Sequence, residues 1–453
     1  MSSGVPRDLA TLLAAGGAPP ALEDRVRSAL GPEAEAVLAQ DPWRLLDVRV
    51  VRPEQADAYA RAVLGGAATD DPRRTAALVT WPVRRAAADG HTAVPATLLR
   101  GALAGHGITD ADAALEAAVA AGRVVPDARL VTGSQDAAVA GDLVEDLTED
   151  LVAGAELAEA EDALADGLLR LLATAEPWEP PPPDGLGAGD DVLDALRDSG
   201  VVLVENSYDA GACDAVRRAG ALPGVHAVEH AELLDVPAAA ELVESLPDGT
   251  RLVLAGDPLL LPSAGPGRVL GDAAASGALP VVRLEPAATP VAALVGALRE
   301  GRLPEAGDPG RHVVVLPTTD EHAVGLAVRV VTDSVPRVHG IDPADVVVVS
   351  PHRRGTAGAD ALDEALTGVL GVGPAPRART VHEARGRRWP AAVVVLPAQA
   401  AGLLSRALVA TACSLGTRHV SVLAAAGPDL RAAVERVPAR PRTTRLTSLL
   451  RLG

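Results

Sequence analysis

Phenylalanine and lysine are absent from this sequence, and tyrosine occurs only twice and tryptophan four times. With so few rings, its interiors have to be filled by Leu, Val and Ala. There are two cysteines, Cys213 and Cys413, far apart. That excludes a disulfide framework and any clustered thiolate metal site, and the expectation is two reduced, buried thiols. No run of eighteen apolar residues and no N-terminal secretion signal is present, so neither a membrane-spanning helix nor export is expected and a cytoplasmic location is. Positive charge is also in deficit. Sixty Asp and Glu face 41 Arg, for a net charge of −19, which argues against unspecific nucleic-acid binding by the whole surface.

What is present is a globular composition: 48 % hydrophobic over 453 residues, enough for two or three domains with cores of their own. The bias toward Ala, Gly, Pro and Arg reads as drift in base composition. Charge is unevenly spread. Ten acidic residues and no basic one lie between Gly141 and Gly167, whereas Leu430 to Gly453 holds Arg431, Arg436, Arg440, Arg442, Arg445 and Arg451 against Glu435. That tail is expected to serve as a flexible arm for nucleic acid or an acidic partner, or simply to aid solubility.

The segment AEPWEPPPPDGLGAGDD (175–191) divides the chain, because four consecutive prolines can neither continue a helix nor sit inside a sheet. Ahead of it the pattern is helical. Leu143, Leu147 and Leu151 recur every fourth residue among carboxylates, predicting an amphipathic helix with a solvated acidic face. Behind it, apolar runs at 201–204, 251–255, 280–284, 312–316, 346–350, 392–397 and 419–423 alternate with helical stretches. Continuous apolar strands between helices predict parallel sheets covered on both faces, here two of them divided near residue 335. In such sheets ligands bind at the carboxyl ends of strands, and the loop after RLVLA (251–255) sits at one.

These segments resemble, in order, the motifs of RecD-like (RecD/TraA-type) superfamily 1 ATP-dependent DNA helicases. LPDGTRLVLAGDPLLLPSAGPGRVLGDAAASGALPVVRL (246–284) is similar to the third helicase motif, and VEHAELLDVPAAAELVESLP (228–247) to the second. VVVVSPHRRGTAGADALDEAL (346–366) resembles the start of the second motor domain. TVHEARGRRWPAAVVVLP (380–397) and ALVATACSLGTRHVSVL (407–423) resemble the last two motifs. Residues 41–65 and 70–95 are similar to the helix-hairpin-helix and following helices. The resemblance implies an α/β fold: an N-terminal all-α helix-hairpin-helix-like region (1–100), a helical region (101–174), the linker (175–191), and two RecA-like, P-loop NTPase parallel-sheet domains (192–335 and 336–453). It also implies ATP and Mg²⁺ as the family's cofactors.

The groups that chemistry needs are missing from the matching positions. A P-loop uses backbone N–H groups to cradle phosphates, a Lys for the β- and γ-phosphates and Ser or Thr for Mg²⁺. In VLVENSYDAGACDAVRRAG (202–220) the Lys position falls at Gly211 and the Ser/Thr position at Ala212, while Glu205 and Asp209 would repel a triphosphate. The metal-binding Asp and water-orienting Glu fall at Glu229 and His230, and no His or Cys is spaced to make His230 a metal ligand. Leu260 stands at the γ-phosphate sensor, Thr289 near a phosphate-facing Arg, and Leu415 at the arginine finger. Arg418 follows on a neighbouring helical face. Losing one finger alone costs on the order of 10³ in rate. The residues that set backbone geometry persist as a remnant of the cofactor site: Gly256, Asp257, Pro258, Pro262, Gly265 and Gly267. Leu259 and Leu260 are expected to be buried where a nucleotide sits in the family. The short span from Gly211 to Glu229 has no room for the family's DNA-contacting loop, and 350–380 has none for an inserted small barrel.

The expectation is therefore a RecD-like homologue, truncated and degenerate: a pseudoenzyme with no bound cofactor, acting as a binding or scaffolding protein in DNA repair or recombination. Two alternatives stand beside it, a divergent but active ATP-dependent DNA helicase and an acidic interaction module with no nucleic-acid role. Its expected partners are DNA, through residual basic patches, and a protein. The nucleic-acid candidates are Arg353, Arg354, His382, Arg385 and Arg388, with Arg377, Arg379 and Arg387 nearby. The hairpin that should bind phosphate reads Val50-Val51-Arg52, without the usual glycines. An earlier turn in AGGAPPALEDRV (15–26) keeps two glycines but gains two prolines.

Overall fold

A computed structural model describes residues 9–66, 69–130, 148–178, 191–205, 210–304 and 310–453. They form two compact units. The first comprises the chain up to Ala163 together with Gly265–Gly267 and Arg442–Leu449, and the second comprises the remainder.

The first unit begins with short helices, Leu9–Ala15, Glu23–Leu30, Ala34–Gln40, Pro53–Leu64 and Pro72–Ala88. Their starts are written locally. Pro53 and Pro72 occupy first-turn positions where no N–H is needed, and the Asp71 carboxylate accepts the Arg73 N–H at 2.9 Å. Two of the scarce aromatics anchor this core. Trp43 and Tyr59 are both buried, and the Trp43 indole donates to Asp57 at 2.8 Å while Arg74 forks the same carboxylate at 2.9 Å twice. The fork and the indole hold the Asp57 carboxyl below its usual range, overcoming the opposing effect of burial.

Strands β1 (Ala93–Pro95), β2 (Val124–Leu130) and β3 (Thr148–Gly154) follow, forming an antiparallel sheet in the order β1-β3-β2. The region 101–174 is therefore not wholly helical. Leu151, expected on an amphipathic helix, lies in β3 opposite Pro95 and Asp127; Leu143 and Leu147 lie outside the described residues. The helix starts only at Ala155 and runs to Ala173. Leu151 and Ala153 share one small apolar cluster while Val152 joins the main helical core, the alternation of a strand rather than the spacing of a helix.

In the second unit, β4 (Val201–Glu205), β5 (Val225–Val228), β6 (Arg251–Ala255) and β7 (Val281–Arg283) form a parallel sheet ordered β5-β6-β4-β7. Strands β8 (Val313–Pro317), β9 (Val346–Ser350), β10 (Ala378–Thr380), β11 (Trp389–Leu396) and β12 (Gly416–Ala424) form another, ordered β10-β9-β11-β12-β8. The division expected near residue 335 falls too late. β8 pairs in parallel with β12, Val313 opposite Val420, and the helix Pro290–Arg299 packs its Val291, Leu294, Val295 and Leu298 into the core of the second sheet. An apolar run shows that a strand is buried but not which sheet pairs with it. The Pro-rich segment 179–190 lies outside the described residues.

The Arg-rich tail is not a free arm. Thr92 and Ala93 donate backbone N–H groups to Thr443 O at 2.9 and 3.3 Å, and Thr443 N–H donates to His91 at 3.0 Å. Arg445 is buried among Asp127, Glu161 and Asp162. Glu161 thus serves the inside of the fold, whereas the acidic run reads as a solvated face. Cys413 is buried and its thiol is pushed up to about 12 by that burial, which leaves it inert; the side chain of Cys213 is not among those described. Among the described residues no helix is long and apolar enough to cross a membrane.

Candidate functional site

The carboxyl ends of β4, β5 and β6 face the second α/β lobe of the same unit, and the motif residues gather there. The first group is the strand end and helix that a P-loop would join. β4 stops at Glu205 and a helix runs from Ala210 to Gly220, with Gly211 and Ala212 in its first turn. The turn 206–209 lies outside the described residues. Glu205 is buried and accepts a hydrogen bond from the Arg283 guanidinium of the adjacent β7 at 2.8 Å.

The second group follows β5. Glu229, expected from the resemblance at the metal-binding position, pairs with Arg217 of the helix Ala210–Gly220 at 3.0 Å, and this carboxylate holds the Arg217 guanidinium above its usual range. His230 adopts a left-handed backbone with φ 58°. It turns the chain so that Glu232, two residues on, enters the interior. Glu232 is buried, lies 3.3 Å from His230 Nδ1 and accepts the Asp257 N–H at 3.4 Å. Nothing in the spacing of VEHAELLD had marked Glu232. The approach also explains Gly256: a Cβ there would collide with the Glu232 carboxylate and Leu270.

The third group is the Gly-Asp-Pro loop. Asp257 is buried and pairs with Arg299, at the end of the helix Pro290–Arg299, at 2.8 Å. Burial pushes its carboxyl up to about 6. Arg299 and the Leu259 N–H oppose that shift, and the nearby Glu232 and Glu205 reinforce it. Leu260 is 7 % exposed and belongs to the apolar core of the second lobe. Leu259, expected to be buried beside it, is 46 % exposed, because residues successive in the loop face opposite ways. Leu261 N–H donates to Thr411 Oγ1 at 2.8 Å, and Arg385 donates to the Pro262 carbonyl. Burial lowers the Arg385 guanidinium's pKa, with Glu232 opposing.

The remaining positions are also structural in their contacts. Thr289 caps the helix Pro290–Arg299, its hydroxyl accepting the Ala292 N–H at 3.1 Å. Leu415 is buried in the core of the second lobe. Arg418 lies in β12, not on a helix, and donates to the His339 carbonyl at 3.2 Å. Gly265 and Gly267 fall in the first unit, where both carbonyls accept from Arg442 at 3.0 and 2.6 Å.

Between Glu232, Asp257, Leu260, Arg385, Arg388 and Leu415 remains a cavity of about 20 Å³. One water needs roughly 10–15 Å³ by this kind of measure, and a ligand pocket is typically about 300 Å³ or more. The cavity is thus of the size of a single water. Trimming the Leu260 plug tests its share of this packing. Leu260→Ala is expected to destabilise the second unit by about 2 kcal/mol, the lower end for such a truncation because the site borders the cleft and can partly collapse. Urea unfolding followed by circular dichroism reads this, and an unchanged midpoint would rule out the plug.

The basic candidates divide. Arg353 is engaged with Asp360 at 3.2 Å and with Glu383, and Arg385 is committed to Pro262. Arg388 lines the small cavity. Arg354 and His382 are exposed. At the hairpin, Val51 is buried and Val50 exposed. The Arg52 N–H, which opens the helix Pro53–Leu64, donates to the Gln55 side chain at 2.9 Å, and Glu54 lies in the first turn. The earlier turn leads into a helix beginning with Glu23 and Asp24. Neither helix start is electrostatically suited to a phosphate.

Residues 5–93 match the family described as the ATP-dependent RecD2 DNA helicase HHH domain. Among solved structures, the arterivirus nonstructural protein 10 helicase is similar at 14 % identity and a TM-score of 0.30, over 65 % of this chain and 70 % of that one. The same arterivirus helicase in complex with DNA is similar at 13 % and 0.31, over 65 % and 72 %. The PRRSV helicase is similar at 11 % and 0.25, over 63 % and 59 %. Residues 5–93 thus carry a helix-hairpin-helix domain of the RecD2 type, with two parallel α/β sheets behind it.

Proposed function

We propose that this chain is a RecD-like homologue that has lost ATP hydrolysis and acts as a binding or scaffolding protein in DNA repair or recombination, in the cytoplasm. The observation that carries this reading is the occupied cleft. Leu260 sits in the core of the opposite lobe and the Asp257–Arg299 pair spans the gap, leaving about 20 Å³. A motor of this kind works by opening and closing such a cleft around a triphosphate. Here the same surfaces are joined by apolar packing, an ion pair and two hydrogen bonds, so closure no longer depends on a ligand. Glu229 faces Arg217, and Leu415 offers no charge to a γ-phosphate. DNA remains the expected partner through exposed arginines such as Arg354 and Arg387, with contacts to the phosphate backbone and none to base edges.

The deciding experiment is steady-state ATP hydrolysis by the full chain, with and without single-stranded DNA. Release of phosphate at the rate of the buffer blank is expected in both. DNA-stimulated turnover that disappears in Glu229→Gln would establish the divergent active helicase instead.

A further inference from the structure

A second cavity lies wholly in the first unit. It measures about 540 Å³, within the range of small-molecule sites. Three arginines line it: Arg44 from the turn Pro42–Asp47, Arg84 from the helix Pro72–Ala88, and Arg123 just before β2. This convergence stands out in a chain of net charge −19 that has no lysine.

The electrostatics are unbalanced. One carboxylate, Asp47, serves two of the guanidiniums: its Oδ2 lies 2.6 Å from Arg44 Nε, and its Oδ1 meets Arg84. Asp47 therefore fixes both forks on one wall while neutralising one charge. The only other carboxylate on the lining is Glu156, so three positive charges face two negative ones. Arg84 registers the imbalance. Burial lowers its pKa, the charges of Arg44 and Arg123 lower it further, and Glu156 opposes them. The opposite wall is the first turn of the helix Ala155–Ala173, reached through Gly154. The Ala155 N–H already donates to the Arg123 carbonyl at 3.2 Å and Glu156 stands in that first turn, so the arginines and not the helix start supply the positive charge. Guanidinium forks match the geometry and charge of a phosphate. Ala77, Val83 and Val124 add an apolar wall for the uncharged part of a ligand.

We propose that this cavity binds a phosphate group through Arg44, Arg84 and Arg123, supplied either by a free phosphate compound or by a nucleic-acid strand. It goes beyond the proposed function, which requires no ligand in the first unit, and its test does not involve ATP turnover.

The probes are sodium pyrophosphate and a short single-stranded oligonucleotide, each titrated calorimetrically into the full chain at two salt concentrations. Saturable binding of at least one is expected, weaker at the higher salt. Arg123→Ala is the first variant, since its side chain makes no ion pair among the described residues and its loss should leave the melting temperature unchanged. It should weaken binding about tenfold or more, as expected for a lost charge-assisted contact. Arg84→Met should do the same, while Arg218→Ala, exposed in the second unit, should bind as the parent does. Pyrophosphate binding that is sensitive to Arg123 identifies a free phosphate as the source. Oligonucleotide binding that is sensitive to Arg123, without pyrophosphate binding, identifies the strand backbone. Binding of neither probe, or binding that Arg123→Ala and Arg84→Met leave intact, overturns the proposal.

Discussion

Arg445→Ala is expected to destabilise the first unit by about 3–5 kcal/mol, the range for removing one partner from a buried charge network. The Arg445 side chain is 4 % exposed. Its Nε meets Asp127 at 2.6 Å, its Nη2 meets Asp162 at 2.9 Å, and its Nη1 donates to the Ala158 carbonyl at 3.0 Å. Its backbone N–H donates to Glu161 at 3.0 Å, and Thr92 donates to the same carboxylate at 2.8 Å. Burial alone would lower the guanidinium's pKa, but Asp127, Asp162 and Glu161 outweigh it and the pKa is raised. The cost of the substitution arises mainly from what stays behind: Glu161, fully buried, would lose the Arg445 guanidinium from its surroundings. Thermal unfolding monitored by circular dichroism gives the measurement. Arg445→Lys should recover part of the loss, because it restores charge without the fork. A midpoint equal to the parent's in Arg445→Ala would show that the tail does not hold the unit together.

The second large effect concerns pH. Burial pushes the Asp257 carboxyl up to about 6 in the folded chain, against 3.8 for the same group in water. Below about pH 4 both states carry the proton and the group contributes nothing. Between about 4 and 6 the unfolded chain ionises while the folded chain stays protonated. Folding stability therefore falls as pH rises through this window. Above 6 the folded state carries a buried charge, and the full penalty persists at neutral pH. At about 1.36 kcal/mol per unit the loss amounts to roughly 3 kcal/mol as an upper figure. Asp257→Asn removes the titrating group. Whatever it does to absolute stability through Arg299, the difference between parent and variant unfolding free energies should slope between pH 4 and 6 and be flat above. A flat difference across the whole range would mean that Asp257 is ionised throughout, with Arg299 fully compensating its burial.

Much of the architecture could be read from the chain. The runs beginning at Val201, Leu252 and Val346 are strands because four consecutive apolar residues admit burial on both faces, and the structure places them in parallel sheets. The helix-hairpin-helix region was legible through the resemblance of residues 41–65 and 70–95, not through its turn residues, and residues 5–93 match that domain. Leu151 was misread because a spacing of four fits a helix while an alternation of two fits a strand, and a single leucine series satisfies both. β5 and β10 are short and only partly buried, so little periodicity marked them. At the cleft, the missing polar groups were visible, but the residues that fill their place were not. Glu232, Arg299 and Thr411 lie far apart along the chain and meet only because Gly256 lets the loop approach Glu232 so closely.

The sequence by itself determined the composition of the cores and the alternation of strand and helix, since each is a property of a residue or of its near neighbours. Tertiary structure alone decided that β8 joins the second sheet, that Leu260 is buried while Leu259 is not, and that an arginine eight residues from the C-terminus closes the core of the first unit. Pairing, burial and charge compensation depend on which distant groups share a small volume, and the order of residues along a chain does not encode that distance directly.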